Sequence, residues 1–161
     1  MDIMTIKNVR EFAINHMYLG DDSLHGIHHW DRVCNIACRF LNVPEVDTDV
    51  VFCFAYLHDV ERRDDGYDEE HGPRAAALID EIRDSVLGFL DDKQIALLKE
   101  ACALHTVCHR TGNPTIDACF DSNRLDLPIP DPEKMATAEG AAQARSIRGH
   151  RHKILTLQQN N

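Results

Sequence analysis

A long apolar run in this chain ends in two ionisable residues. Residues 50–57 read Val-Val-Phe-Cys-Phe-Ala-Tyr-Leu, and His58 and Asp59 follow directly. A segment that is apolar on every side is typical of a helix at the centre of a bundle, so its end opens close to the interior. Burying an unpaired carboxylate costs several kcal/mol. Asp59 therefore needs a partner, which could be an Arg or Lys, a set of hydrogen bonds or a metal ion.

Further ligand types cluster at the ends of other predicted helices. The histidines concerned are His25, His28, His29, His71, His105 and His109. A late segment, "CFDSNRLDL", adds Asp121, Asn123 and Asp126. Imidazole together with carboxylate suits a divalent transition metal such as Mn, Fe, Co, Ni or Zn. We interpret His25, His28 and His109 as lying outside the ligand set, whereas Arg62 just after the doublet could bind phosphate oxygens or pair with neighbouring acids.

Helical periodicity dominates the elements that must position these residues, and strand alternation is weak. The predicted helices span residues 3–18, 27–41, 48–59, 69–83, 92–108 and 115–124. Asp47 or Thr48 can cap the third helix, and Asp91 or Asp92 the fifth. Three prolines between residues 128 and 132 end the pattern. The sequence thus predicts an all-α bundle of about six helices, with one domain over residues 1–140 and a peripheral tail over 141–161.

Composition narrows the possible functions. The 161 residues carry 17 Lys plus Arg against 27 Asp plus Glu, a formal charge of −10, which argues against a nucleic-acid surface. No apolar run reaches the roughly 20 residues of a membrane span, and no secretory signal is recognisable. The six scattered cysteines are interpreted as free thiols in a reducing cytoplasm. Whether the chain forms a homodimer is left open.

The order of these motifs resembles the HD-domain metal-dependent phosphohydrolase superfamily. "HWDRVCNIA" is similar to the family's first-histidine helix, "AYLHDV" to its naming doublet, and "HGPRAA" and "LHT" to elements of its two-metal branch. The resemblance covers about residues 20–127. It implies an HD-type helical bundle with one or two metal ions. The ligands that it implies are His29, His58, Asp59, His71, His105 and a residue near Asn123.

One ligand position departs from the family pattern. The last ligand is usually the Asp of an Ala-Asp-Arg-Leu stretch, and the matching residues here read Ser122-Asn123-Arg124-Leu125. An amide binds a divalent cation only through its oxygen and without charge. Either Asp121 substitutes from two positions earlier, or the site binds metal weakly. Two residues on a helix are about 200° apart, so substitution by Asp121 requires local distortion.

The resemblance implies hydrolysis of a phosphoester or phosphoanhydride in a nucleotide or other small phosphorylated compound. It makes Asp59 the candidate to bridge two ions, with His58 and Arg62 also in the reaction site. The alternative is a binding or regulatory module that has kept the fold and lost catalysis, which Asn123 favours. A third hypothesis is a helical interaction protein whose histidines are incidental.

Overall fold

The structure, a computed structural model, describes residues 2–20 and 22–159, with side chains described as far as residue 149. Within them the chain is all-α, as predicted, and no residue is in a strand. The seven α-helices are α1 (Ile3–His16), α2 (Ile27–Ala37), α3 (Thr48–Leu57), α4 (His71–Ile82), α5 (Asp92–Leu104), α6 (Pro114–Arg124) and α7 (Ala138–Gln159). Two short 3-10 turns cover Cys38–Phe40 and Pro132–Lys134.

Side-chain caps fix where several helices begin. Asp47 accepts hydrogen bonds from the backbone N–H groups of Asp49 and Val50 at the start of α3, as its sequence position predicted. Asp91 forms a capping box with Gln94 at the start of α5. These caps satisfy N–H groups that have no partner inside the helix, and each typically contributes about 1 kcal/mol.

Helix α3 lies at the centre of the bundle. All eight residues from Val50 to Leu57 are buried, and the helix packs against α1, α2, α5 and α6. An interior helix must be apolar all round, which explains the unbroken run in the sequence. His58 is its C-terminal cap residue and is fully buried. The centre of the bundle therefore delivers His58 and Asp59 to an interior position.

A glycine sets the distance between α4 and α5, which pack closely together. A Cβ atom at Gly72 would lie 2.5 Å from the backbone oxygen of Cys102, well inside van der Waals contact. Only glycine permits this approach. Because His71 precedes Gly72 and His105 follows the end of α5, the close packing also brings these two histidines together.

The last helix was not predicted. Asp121 of α6 accepts hydrogen bonds from groups that follow the prolines in the chain. The donors are the backbone N–H groups of Ala136 and Thr137 and the Thr137 hydroxyl, at 2.6–2.8 Å. These contacts hold the start of α7 against α6, and a Cβ at Gly140 would overlap the Asp121 carboxylate. Ala144 of the predicted tail is buried. The side chains of the basic residues Arg151 and Lys153 lie outside the described residues.

The cysteines are free thiols, as the sequence predicted. None of the six cysteines forms a disulfide, and three of them are fully buried. Within the described residues, no helix combines the length and the apolar character that crossing a bilayer requires.

Candidate metal centre

The carboxylate of Asp59 lies between two pairs of histidines. Its Oδ2 atom is 3.4 Å from His58 Nε2 and 3.8 Å from His29 Nε2. Its Oδ1 atom is 3.0 Å from His71 Nε2 and 3.5 Å from His105 Nε2. We call His29 and His58 the first half of the site and His71 and His105 the second half. One buried aspartate is thus shared by both halves.

Backbone carbonyl groups fix the tautomers of three of these histidines. His58 Nδ1 donates to the Phe54 oxygen at 3.0 Å, and His105 Nδ1 donates to the Cys102 oxygen at 2.8 Å. His71 Nδ1 likewise donates to the backbone oxygen of Asp68. A carbonyl oxygen only accepts, so Nδ1 carries the proton and Nε2 of the neutral ring presents a lone pair. Each lone pair therefore faces the centre of the site.

His29 is oriented by a carboxylate instead. Its Nδ1 atom donates to Asp126 Oδ2 at 2.7 Å. Arg32 holds the same carboxylate in a two-pronged contact, with its Nε atom at 2.8 Å and its Nη2 atom at 3.0 Å from the two oxygens. Carboxylate-bound imidazoles of this kind are common around protein-bound metals, where the outer carboxylate fixes the ring and raises its basicity.

The spacing of the lone pairs fits a cation. His29 Nε2 and His58 Nε2 are 3.2 Å apart, and His71 Nε2 and His105 Nε2 are 3.0 Å apart. Two unprotonated nitrogens at such distances repel each other unless a proton or a metal ion is shared between them. Two overlapping groups of side chains have ligand atoms close enough to hold an ion: His25, His29 and Asp59, and His58, Asp59 and His105.

Burial sets the charge of His58, and neighbouring histidines set the charge of Asp59. Burial lowers the pKa of His58 to about 4, against the opposing effect of Asp59, so this imidazole is neutral at physiological pH. Burial alone would raise the pKa of Asp59, but His58, His105 and His25 outweigh it and hold that pKa well below its usual range. The structure therefore presents a neutral His58 imidazole beside an ionised Asp59 carboxylate, and metal binding needs these protonation states.

His25 lies closer to the site than its sequence position indicated. Its Nδ1 atom is 3.2 Å from Asp59 Oδ2, and its ring is half-buried beside that of His29. The spacing of four residues between His25 and His29 was the only signal for this proximity. His28 and His109, which the sequence analysis placed outside the ligand set, are exposed.

Asn123 and Asp121, the two candidates for the last ligand position, lie on different sides of α6. Asn123 lines a cavity of about 450 Å³ that opens onto His29, Asp59 and His105. Asp121 faces the other side of α6, where its oxygens bind the start of α7. The structure thus places Asn123 at the site and keeps Asp121 away from it, as their separation of about 200° on a helix requires.

Arg62 is fixed beside the shared carboxylate. Its Nε atom is 3.3 Å from Asp59 Oδ1, and its Nη1 atom donates to the backbone oxygens of Asp64 and Gly66 at 3.0 and 3.1 Å. It lines both the 450 Å³ cavity and a second one of about 220 Å³ that borders His71. A guanidinium held in this way is ready to bind an anion in either cavity.

Comparison with known proteins yields no relative. The chain matches none of the family models, curated proteins or solved structures with which it was compared. The resemblance to the HD-domain superfamily therefore stays a prediction that depends on the sequence motifs.

Proposed function

We propose that this chain is an HD-type, metal-dependent phosphohydrolase that acts on a small phosphorylated compound. The observation that carries the proposal is the convergence of four imidazole Nε2 atoms on the two oxygens of the buried Asp59. Hydrogen bonds or an arginine could have stabilised one buried carboxylate. They do not account for two pairs of imidazole lone pairs directed at each other.

The donor atoms indicate the class of metal. Nitrogen donors outnumber carboxylates in both halves, which favours Mn, Fe, Co, Ni or Zn over Mg or Ca. His29 and His58 would hold one ion, His71 and His105 a second, and Asp59 would bind both. Such ions, when bound, lower the pKa of a coordinated water and offset the charge that develops on phosphate oxygens.

The chain's own residues supply binding and orientation. Arg62 is positioned by Asp59 and by two backbone carbonyls, so it can bind phosphate oxygens without first losing much side-chain freedom. Asp126 keeps the proton of His29 on Nδ1, away from the site. In the hydrolysis, the P–O bond to the leaving group breaks, a P–O bond to the water oxygen forms, and one proton of that water ends on the leaving oxygen.

Asn123 supports a second candidate, a binding or regulatory module on the same scaffold. The Asn123 amide lines the cavity. In the HD-domain superfamily, which the chain resembles, the matching position usually has a carboxylate ligand, whereas the amide carries no charge. A weaker site of this kind could still bind a metal and a phosphorylated ligand while turning it over poorly.

An activity measurement separates the two candidates. Metal-depleted protein would be reconstituted with Mn²⁺, Co²⁺ or Zn²⁺ and assayed with p-nitrophenyl phosphate and bis-p-nitrophenyl phosphate. We expect metal-dependent release of nitrophenol that is lost in His58→Ala and in Asp59→Ala but retained in His28→Ala, whose parent side chain is exposed. Stoichiometric metal without turnover of either ester would favour the binding module.

A further inference from the structure

Exposed apolar side chains surround the two cavities of the metal centre. Leu24 and Leu127 line the larger cavity and are 76% and 55% exposed, and Tyr67 and Val107 line the smaller one and are 86% and 67% exposed. Single exposed apolar residues are ordinary on a protein surface. Four of them around one polar site form an apolar rim, a term we use for these four residues.

The residues of the apolar rim at the larger cavity are held in place by the site itself. Leu24 precedes His25, and its loop is fixed by Ser23, whose hydroxyl donates to Asp65 Oδ1 at 2.6 Å and accepts from the His25 backbone N–H at 3.1 Å. Leu127 follows Asp126, and its backbone N–H donates to the Arg124 oxygen at 3.2 Å. Both leucines are therefore displayed at fixed positions beside the ligand residues.

Polarity changes between the base and the mouth of the larger cavity. Imidazoles, Asp59 and Arg62 form its base, whereas Leu24, Leu127 and Pro128 form an apolar part of its lining. Its volume of about 450 Å³ lies within the range of roughly 300–1,000 Å³ that is usual for small-molecule sites. A ligand that matches both parts has a compact anionic head and a short apolar body.

We infer that the substrate is an amphiphilic phosphomonoester, with its phosphate at the histidines and Arg62 and its apolar group against Leu24 and Leu127. This inference rests on the proposed function for the identity of the head group. Hydrolysis of such a compound consumes one water and releases an apolar alcohol and inorganic phosphate. The apolar rim then discriminates among substrates by the length of their apolar group.

A series of n-alkyl phosphates tests the inference. For methyl, butyl and hexyl phosphate with metal-loaded protein, kcat/KM should rise by roughly threefold to fourfold for each methylene that becomes buried. Leu24→Ser and Leu127→Ser should each flatten this rise, so that the ratio of kcat/KM for hexyl phosphate to that for methyl phosphate falls. Leu41→Ser is the matched control, because Leu41 is similarly exposed, at 53%, and lines neither cavity.

Binding of non-hydrolysable methyl-, butyl- and hexylphosphonate, measured by calorimetry, supplies a readout without turnover. Affinity that increases with chain length in the wild type, but not in Leu24→Ser, supports the inference. It does so even if no ester is hydrolysed, because the absence of hydrolysis counts only against the proposed function. Equal affinities for the three phosphonates would overturn the inference. Hydrolysis of methyl and hexyl phosphate at equal kcat/KM would do the same and leave the proposed function standing.

Discussion

The histidines in the two halves of the candidate metal centre are oriented by different means. In the second half, both imidazoles donate from Nδ1 to backbone oxygens that lie three residues earlier in the chain. In the first half, His58 has a similar local partner, but His29 depends on Asp126, which lies 97 residues away in sequence. The second half therefore relies on local backbone geometry and on helix packing, and the first half relies on a long-range contact between side chains.

Because of this difference, the two halves should be sensitive to substitutions at different positions. Substituting a side chain outside the ligand set should disturb the first half, because Asp126 and Arg32 can be changed without moving a helix. Among the residues that the structure describes, His71 Nδ1 and His105 Nδ1 are held by backbone oxygens and by no outer side chain. The second half should therefore respond to changes in the α4–α5 packing at Gly72. Asp59 belongs to both halves, so substituting it should affect both of them.

The largest effect is expected from Asp59→Ala. Without the shared carboxylate, each half retains two imidazoles and no anionic ligand, so both ions should be lost. Elemental analysis after dialysis should find no stoichiometric metal in this variant. Asp80→Ala, which removes an exposed carboxylate on α4, serves as the control. Retention of one ion per chain in Asp59→Ala would show that the halves bind independently of Asp59.

The next largest effect is expected from Gly72→Ala, which should affect the second half only. The added methyl group would meet the Cys102 backbone oxygen, which is also the acceptor for His105 Nδ1. Helices α4 and α5 must then separate, and His71 and His105 should no longer share an ion. Metal content should fall from two ions to one per chain. Gly149→Ala is a suitable control, because a Cβ at Gly149 would meet nothing within 4 Å.

A smaller loss of metal binding, this time in the first half, is expected from Asp126→Ala. Loss of the carboxylate partner frees the His29 ring, and changes of this kind typically cost about 10- to 100-fold in metal affinity. Calorimetry should show weaker binding of one ion and unchanged binding of the other. Asp126→Asn should lose less, because an amide oxygen still accepts from His29 Nδ1. Equal weakening of both ions would contradict the division into halves.

A separate effect, on stability and not on metal content, concerns the pH dependence of the metal-free protein. The pKa of His58 is about 4 in the folded state and 6.5 for the unperturbed group, so the unfolded chain takes up the proton first. The free energy of unfolding should therefore fall as the pH is lowered from 6.5 towards 4, by at most about 1.4 kcal/mol per pH unit for one proton.

Urea unfolding at pH 7, 6 and 5 measures this slope. His58→Gln should reduce it, because the titrating group is gone, and His28→Gln should leave it unchanged, because His28 is exposed. A stability that is the same at pH 7 and pH 5 in the wild type would contradict the burial of a neutral His58.

Local patterns made part of this site predictable from the sequence. The unbroken apolar run of α3 indicated an interior helix, so its end had to bring His58 and Asp59 inside. The cap at Asp47 was equally local. The helix that carries Asp121 and Asn123 was also recognisable, and its period of 3.6 residues indicated that Asp121 could replace Asn123 only with local distortion.

The features that could not be predicted from the sequence depend on contacts between residues far apart in the chain. Nothing in the pattern around Asp126 distinguishes a carboxylate that binds His29 from one that is solvated. Helix α7 was missed because prolines precede it and its start depends on Asp121, a buried side chain of another helix. The apolar rim was missed because Leu24 and Leu127 belong to separate loops that meet only in the folded chain.

Titration of metal-free protein with Mn²⁺ would show whether the four histidines and Asp59 hold two metal ions. The number of bound ions would be measured by calorimetry and by elemental analysis of the same samples. We expect two ions per chain in the wild type, one in Gly72→Ala and none in Asp59→Ala. A wild-type protein that binds no Mn²⁺, and no Co²⁺ or Zn²⁺ in its place, would contradict the assignment of these histidines to a metal centre.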